Sequence, residues 1–196
     1  MDVTDGAVDI DGAALIVVDV QNGFTNHHSR HVVPVISSLV SRWSAAGRPV
    51  VFTRYRNYPD SPFERFFRWS RLQSPPDTDL VSELADQAES AYAVLDKVGY
   101  SFFTDEAVTL LGDAGWTDLV FCGIATESCV LKSAADAFEL GYAPWILTDA
   151  SASDAGPAVH EAGLTVARRL IGPRQLINAD GLMAQLAPRL EVPVLE

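Results

Sequence analysis

Cysteine, lysine and histidine are scarce in this 196-residue chain, at two, two and four residues. Two cysteines, Cys122 and Cys129, are too few for a disulfide framework, which points to a reducing compartment and so to a cytoplasmic home. Long apolar runs are missing as well: nothing approaches the ~18 residues that a membrane span needs. The segment from Met1 to Asp11 holds four aspartates and no lysine or arginine, the reverse of a signal peptide's first region, so no secretory leader is expected. Positive charge is short throughout. Fourteen basic residues face 26 acidic ones, a formal net charge of −12, whereas a general binder of phosphate backbones should be basic. Neither nucleic acid nor an anionic membrane surface is an expected partner.

Apolar residues, by contrast, make up 48% of the chain, enough for a core without metal or disulfide staples. They fall into short runs rich in Val, Ile and Leu, each followed by a stretch of helical apolar spacing. The runs go from Ala14 to Val20, Pro49 to Arg54, Ala91 to Asp96, Asp118 to Cys122 and Ala143 to Asp149, with a weaker one from Gln175 to Asn178. That alternation predicts a three-layer α/β/α sandwich, Rossmann-like, around a mostly parallel six-stranded sheet. Most runs are apolar throughout, as strands are when helices cover both faces. Pro34 and Gly47 bracket one predicted helix and Pro157 and Gly172 another, while Gly115 and Gly141 end two more. No repeat, low-complexity tract or linker divides the chain, so residues 1–196 are expected to form one domain. One connection, 55–79, is too long for an ordinary link and is expected to be an active-site lid or a subunit interface.

Ligands of open α/β sheets bind beyond the carboxyl ends of the strands. Three residues there carry chemistry: Asp19, closing an otherwise apolar run; Lys97, after Val94-Leu95-Asp96; and Cys129, where a helix should begin after the fourth run. Taken singly, each has an ordinary role: a cap, a rim charge, a small buried hydrophobe. Together they suit nucleophilic catalysis. A helix N-terminus and an ammonium both favour a thiolate, and a nearby carboxylate can move protons. Lysine is one of only two here, and its compact charge responds to desolvation as arginine's does not.

Ala14-Leu15-Ile16-Val17-Val18-Asp19-Val20-Gln21-Asn22-Gly23-Phe24, then Asp96-Lys97-Val98-Gly99-Tyr100-Ser101-Phe102-Phe103, then Cys122 to Val130, resemble in order and separation the isochorismatase-like cysteine hydrolases. The resemblance spans nearly the whole chain. It implies a catalytic triad of Cys129 as nucleophile, Asp19 as proton carrier and Lys97 as the charge holding both. It also implies a cis peptide between Ile124 and Ala125, and an oxyanion hole from the backbone amides of Ala125 and Cys129. Members commonly form dimers or tetramers, so a homo-oligomer is implied too.

The chain departs from one branch of that family. Members that hydrolyse nicotinamide bind a metal through an Asp-x-His pair after the second strand, where this chain reads Thr53-Arg54-Tyr55-Arg56-Asn57. No metal or other cofactor is therefore expected, nor is nicotinamide hydrolysis. His27 and His31 have an i, i+4 spacing that would suit zinc on a helix, but without a nearby cysteine or acidic ligand they read better as solvated loop residues.

Five of the twelve arginines lie between Arg54 and Arg71, interleaved with aromatics. Phe63, Phe66, Phe67 and Ser70 would share one face of a short helix, with Glu64 and Arg68 paired at i, i+4. Arg54 and Arg56 are the candidates for holding a substrate carboxylate, and Phe24 and Tyr100 for walling a flat substrate. The expected function is hydrolysis of a C–N bond in a small amide, ureido or carbamoyl compound through a thioester. Two alternatives stand beside it: isochorismate-type vinyl ether hydrolysis, which needs the aspartic acid but no thiol, and a non-catalytic metabolite-binding or thiol redox role. A receiver-like signalling module fits less well, since Asp19 has no acidic neighbour in its run for magnesium.

Overall fold

The first apolar run becomes β1 (Ala13–Val18), buried at all six positions, and the reason is its place in the sheet. In the computed structural model, which describes residues 7–186, β1 lies between β2 (Val50–Tyr55) and β4 (Asp118–Ile124). The complete order is β3-β2-β1-β4-β5-β6, with β3 (Ala93–Lys97), β5 (Ala143–Ala152) and β6 (Leu176–Ile177), and every pairing is parallel. The chain winds outward from β1 through β2 to β3, then returns to the other side of β1 for β4, β5 and β6. A crevice therefore opens between the carboxyl ends of β1 and β4, the switch point where such sheets hold ligands.

Successive strand residues point to opposite faces, so β1 feeds two cores. Leu15 and Val17 join a cluster with Ile36, Val40 and Trp43 of α1 (Val33–Ala45), Leu84 of α3 (Ser82–Glu89) and Leu182 of α7 (Ala179–Leu186). Ala14, Ile16 and Val18 join the other, with Leu111 of α4 (Asp105–Ala114), Ala134 of α5 (Leu131–Glu139) and Leu164 of α6 (Pro157–Leu170). Helices cover both faces, which is why the strands read as continuous apolar runs.

All six expected strands are present, with shifted ends. β1 stops at Val18 because Asp19 takes a left-handed φ of 50° and turns the chain out of the sheet. β5 continues through Ala152, past the expected Asp149, keeping Gly123 and Ile124 paired with Ser151 and Ala152. Gly123 is required where β4 meets β1: at φ 119° a Cβ would fall 2.1 Å from the Val18 carbonyl oxygen. That close approach sets the end of β4 beside Asp19.

Candidate active site

Asp19 is fully buried, and each of its carboxylate oxygens has a partner. Oδ1 accepts a hydrogen bond from the Thr53 hydroxyl on β2 at 2.7 Å, and Oδ2 lies 2.6 Å from Lys97 Nζ. Lys97, at the end of β3, also donates to the carbonyls of Gly99 at 2.9 Å and Tyr100 at 3.1 Å. Besides the Asp19 ion pair and the two carbonyls, the ammonium also acts on Cys129. Burial pulls the Lys97 pKa down, but Asp19 first, and then Cys129, outweigh it, and the ammonium is held above its ordinary value.

Cys129 sits on a single π turn, Thr126–Val130, between β4 and α5, closed by an i to i+5 bond from the Val130 amide to the Ala125 carbonyl at 3.2 Å. Such turns recur at functional sites because they redirect one side chain without ending the helix. The Ile124–Ala125 peptide is cis. The thiol is buried: burial, then the Asp19 carboxylate, push its pKa up, to about 12, against the opposing pull of Lys97. It is thus acted on at once by a carboxylate and an ammonium.

A second layer holds the turn. The Thr126 hydroxyl bonds His160 Nδ1 on α6 at 2.8 Å, and the Ser153 hydroxyl donates to Glu127 at 2.9 Å. Gly163 lets α6 lie against the turn, since a Cβ there would come within 2.8 Å of the Glu127 Cα.

Above the thiol is a cavity of about 450 Å³, lined by Ala125, Ser128 and Cys129 on one side, Asp154 at the end of β5, and Phe24, Tyr55, Phe63, Phe67, Trp69 and Tyr100 around the rest. Phe24 stacks on Trp69 with ring centroids 5.9 Å apart, and Phe63 meets Tyr55 and Tyr100 edge-on at 5.2 and 5.0 Å. Phe24 and Tyr100 thus stand where a flat substrate would be walled. Arg54 and Arg56 do not: their guanidiniums clasp the two oxygens of Asp96 at 2.7 and 3.0 Å, and neither lines the cavity. The expected carboxylate contact is corrected by that pairing.

The long connection supplies much of this wall. Its helix, α2 (Pro62–Phe67), is only six residues long because Arg68 takes a left-handed conformation and ends it. Glu64 does not reach forward to Arg68 as expected; it turns back to accept the Asp60 amide at 2.7 Å while its own amide donates to Ser61 Oγ, a reciprocal cap. Gln21 ties the segment to β1, its amide group bonding both backbone atoms of Tyr55 and the Thr78 carbonyl. Asn57 gathers it from within, donating to the carbonyls of Trp69 and Arg71 and accepting from Ser61.

Among the described residues no group of three or more His, Cys, Asp or Glu side chains is placed to hold a metal. At the end of β2 the side chains facing the site are the Thr53 hydroxyl and the Tyr55 ring, so the donor set does not fit a metal centre. His27 lies against His28, their rings tilted by 44° with centroids 3.7 Å apart, in a loop rather than on a helix.

An isochorismatase domain matches residues 13–175. The chain is 33% identical to a ureidoacrylate amidohydrolase, RutB, of Serratia proteamaculans over 74% of this chain and 71% of that one. It is 26% identical to nicotinamidase 3 of Arabidopsis thaliana over 89% and 88%. A cysteine hydrolase of Pseudomonas syringae superposes with a TM-score of 0.81, covering 93% of this chain and 95% of that one at 21% identity. The site at the β1–β4 switch point and the matched domain span the same part of the chain, which therefore belongs to the isochorismatase family.

Proposed function

We propose that this protein is a cysteine hydrolase that cleaves the C–N bond of a small amide, ureido or carbamoyl compound without a metal or other cofactor. The observation that carries the reading is the thiol of Cys129 set with the buried Asp19–Lys97 pair at the floor of an aromatic cavity. Amidohydrolase and nicotinamidase relatives support the reaction class.

The chemistry follows from the charges. As the thiol attacks the carbonyl carbon, its proton passes to Asp19 and a C–S bond forms. Lys97 stabilises the thiolate as it develops. The oxyanion is assigned to the backbone amides of Ala125 and Cys129, whose loss would typically cost ~10²–10³ in rate. Protonated Asp19 then gives its proton to the leaving nitrogen and the C–N bond breaks. Water attacks the thioester, Asp19 accepts a proton again, and the thiol is restored as the acid departs. Thr53, bonded to Asp19 Oδ1, leaves Oδ2 to do the transfer.

Ammonia release from a panel of small amides, ureas and carbamoyl acids tests this, with Cys129→Ala alongside. Turnover of one compound and a dead variant are expected; equal rates in both would overturn the nucleophile. The second reading is vinyl ether hydrolysis, in which Asp19 first takes up a proton from solvent and then delivers it to the substrate. In that case Asp19→Asn loses activity and Cys129→Ala keeps it.

We further propose one domain over 1–196, a cytoplasmic location in keeping with two free thiols, and a homo-oligomer. Phe66 and Phe67 on α2 support association, being 72% and 69% exposed.

A further inference from the structure

We infer that the group attached to the scissile amide is an organic cation, held by the aromatic wall and the Asp154 carboxylate; this rests on the hydrolase reading above.

Three observations on different residues point the same way. Among the described residues no lysine or arginine lines the cavity. The cations nearby are already spent: Lys97 on Asp19 and two carbonyls, Arg54 and Arg56 on Asp96, and Arg71 on Asp77 through two bonds of 3.1 and 3.2 Å. A substrate carboxylate would enter without a counter-charge and beside an aspartate. Asp154, the acid at the rim, makes no ion pair of its own among the described residues. Burial pushes its carboxyl up, though its own backbone amide and the field of Arg71 pull the other way, so a cation placed beside it would gain from a charge that water solvates only in part. Finally, Phe24, Tyr55, Phe63 and Trp69 form a continuous ring cluster, and aromatic faces attract ammonium and other organic cations. A neutral flat group would be satisfied by the rings alone and leaves Asp154 without a role; a cation uses both.

Binding and turnover separate the two layers of the argument. On Cys129→Ala protein, affinities of benzyltrimethylammonium, its uncharged carbon isostere neopentylbenzene, and phenylacetate are measured by titration calorimetry, then repeated with Asp154→Asn and Asp154→Glu added. The ammonium is expected to bind at least tenfold tighter than the isostere, and phenylacetate weakest. Asp154→Asn should shrink the ammonium advantage severalfold, and Asp154→Glu should restore part of it. Phenylacetate binding as well as the ammonium, or an ammonium advantage that Asp154→Asn leaves unchanged, overturns the inference. Wild-type turnover of ring carboxamides bearing a trimethylammonium, a neutral or a carboxylate substituent gives the second reading. Cleavage that favours the carboxylate overturns the cation and leaves the hydrolase standing. Cation-selective binding with no amide cleaved sinks the hydrolase instead.

Discussion

At the scale of single residues the site is governed by one buried ion pair and what surrounds it. Removing one member of such a pair strands a charge away from water, which costs ~3–5 kcal/mol, whereas replacing both with neutral groups is often nearly free. Lys97→Met is therefore expected to lose roughly that much stability in urea denaturation, and Lys97→Met with Asp19→Asn to regain most of it. Additive losses in the double variant would show that the two charges do not act as a pair. The thiol makes a sharper prediction. With its pKa near 12 under the joint influence of burial and Asp19, Cys129 should react with iodoacetamide far more slowly at pH 7 than a thiol of ordinary pKa ~8.5, and faster as pH rises toward 12. Asp19→Asn removes the second cause, so alkylation should speed up even as turnover is lost. Intact-protein mass spectrometry with peptide mapping reads this on Cys129, since Cys122 is enclosed in β4 and its thiol is pushed up further still by burial. A slower reaction in Asp19→Asn would mean that the proton-accepting role of the carboxylate in turnover outweighs its raising of the thiol pKa in alkylation too.

At the scale of elements, the π turn depends on α6, a helix 34 residues further along the chain at its point of contact. Gly163→Ala places a methyl group 2.8 Å from the Glu127 Cα and 2.9 Å from its nitrogen, so the helix or the turn must move. Overpacking of this kind costs about 1–3 kcal/mol, and a displacement approaching 1 Å at the nucleophile costs ~10² in rate. Kinetics should therefore suffer more than thermal stability; the reverse would place the strain away from Cys129. His160 adds a pH dependence. Burial holds its pKa below the ordinary ~6.5, with His31 acting in the same direction and Glu161 and Glu127 opposing. The folded chain then binds fewer protons than the unfolded one, so its contribution is complete above about 6.5 and declines as pH falls below that value. Melting temperature should fall between pH 7.5 and 5.5, and less in His160→Gln. These supports were not legible in the sequence. Asp19, Lys97 and Cys129 stood out because strand ends are few and ionisable residues there fewer. His160, Thr126 and Gly163 make an ordinary helix and an ordinary turn, and only packing reveals that one leans on the other. The arginines show the opposite failure: composition marked Arg54 and Arg56 as free cations, yet parallel pairing of β2 with β3 sets Arg54 opposite Asp96, a register that no local pattern encodes.

For the molecule as a whole, topology explains both what the chain does and where it is open. The six strands were readable as apolar runs separated by helical spacing, whereas their order, and the switch point that follows from the return of the chain past β1, came only with the structure. The 55–79 segment was readable only as an excess of length. Its fixed geometry comes from two buried amides, Gln21 and Asn57, which bond the backbone at both ends of the excursion and so hold an aromatic wall that has little helix to support it. Wall and interface need not be alternatives. Phe63 turns inward to the cavity, Phe66, under the Arg65 guanidinium at 5.1 Å, faces out, and Phe67 stands between them, lining the cavity yet 69% exposed. Two adjacent exposed phenylalanines on a six-residue helix are a large apolar surface for a chain of net charge −12, and a second copy covering them would bury the outer side of the same wall that encloses the substrate. Sedimentation is expected to report a dimer or tetramer, and Phe66→Asp to shift it toward the single-chain mass of 21.2 kDa. If α2 is the shared face, KM should rise with dissociation while the alkylation rate of Cys129 stays put, because Asp19, Lys97 and Cys129 all come from one chain. A variant that remains assembled would put the interface elsewhere and leave α2 as a lid alone.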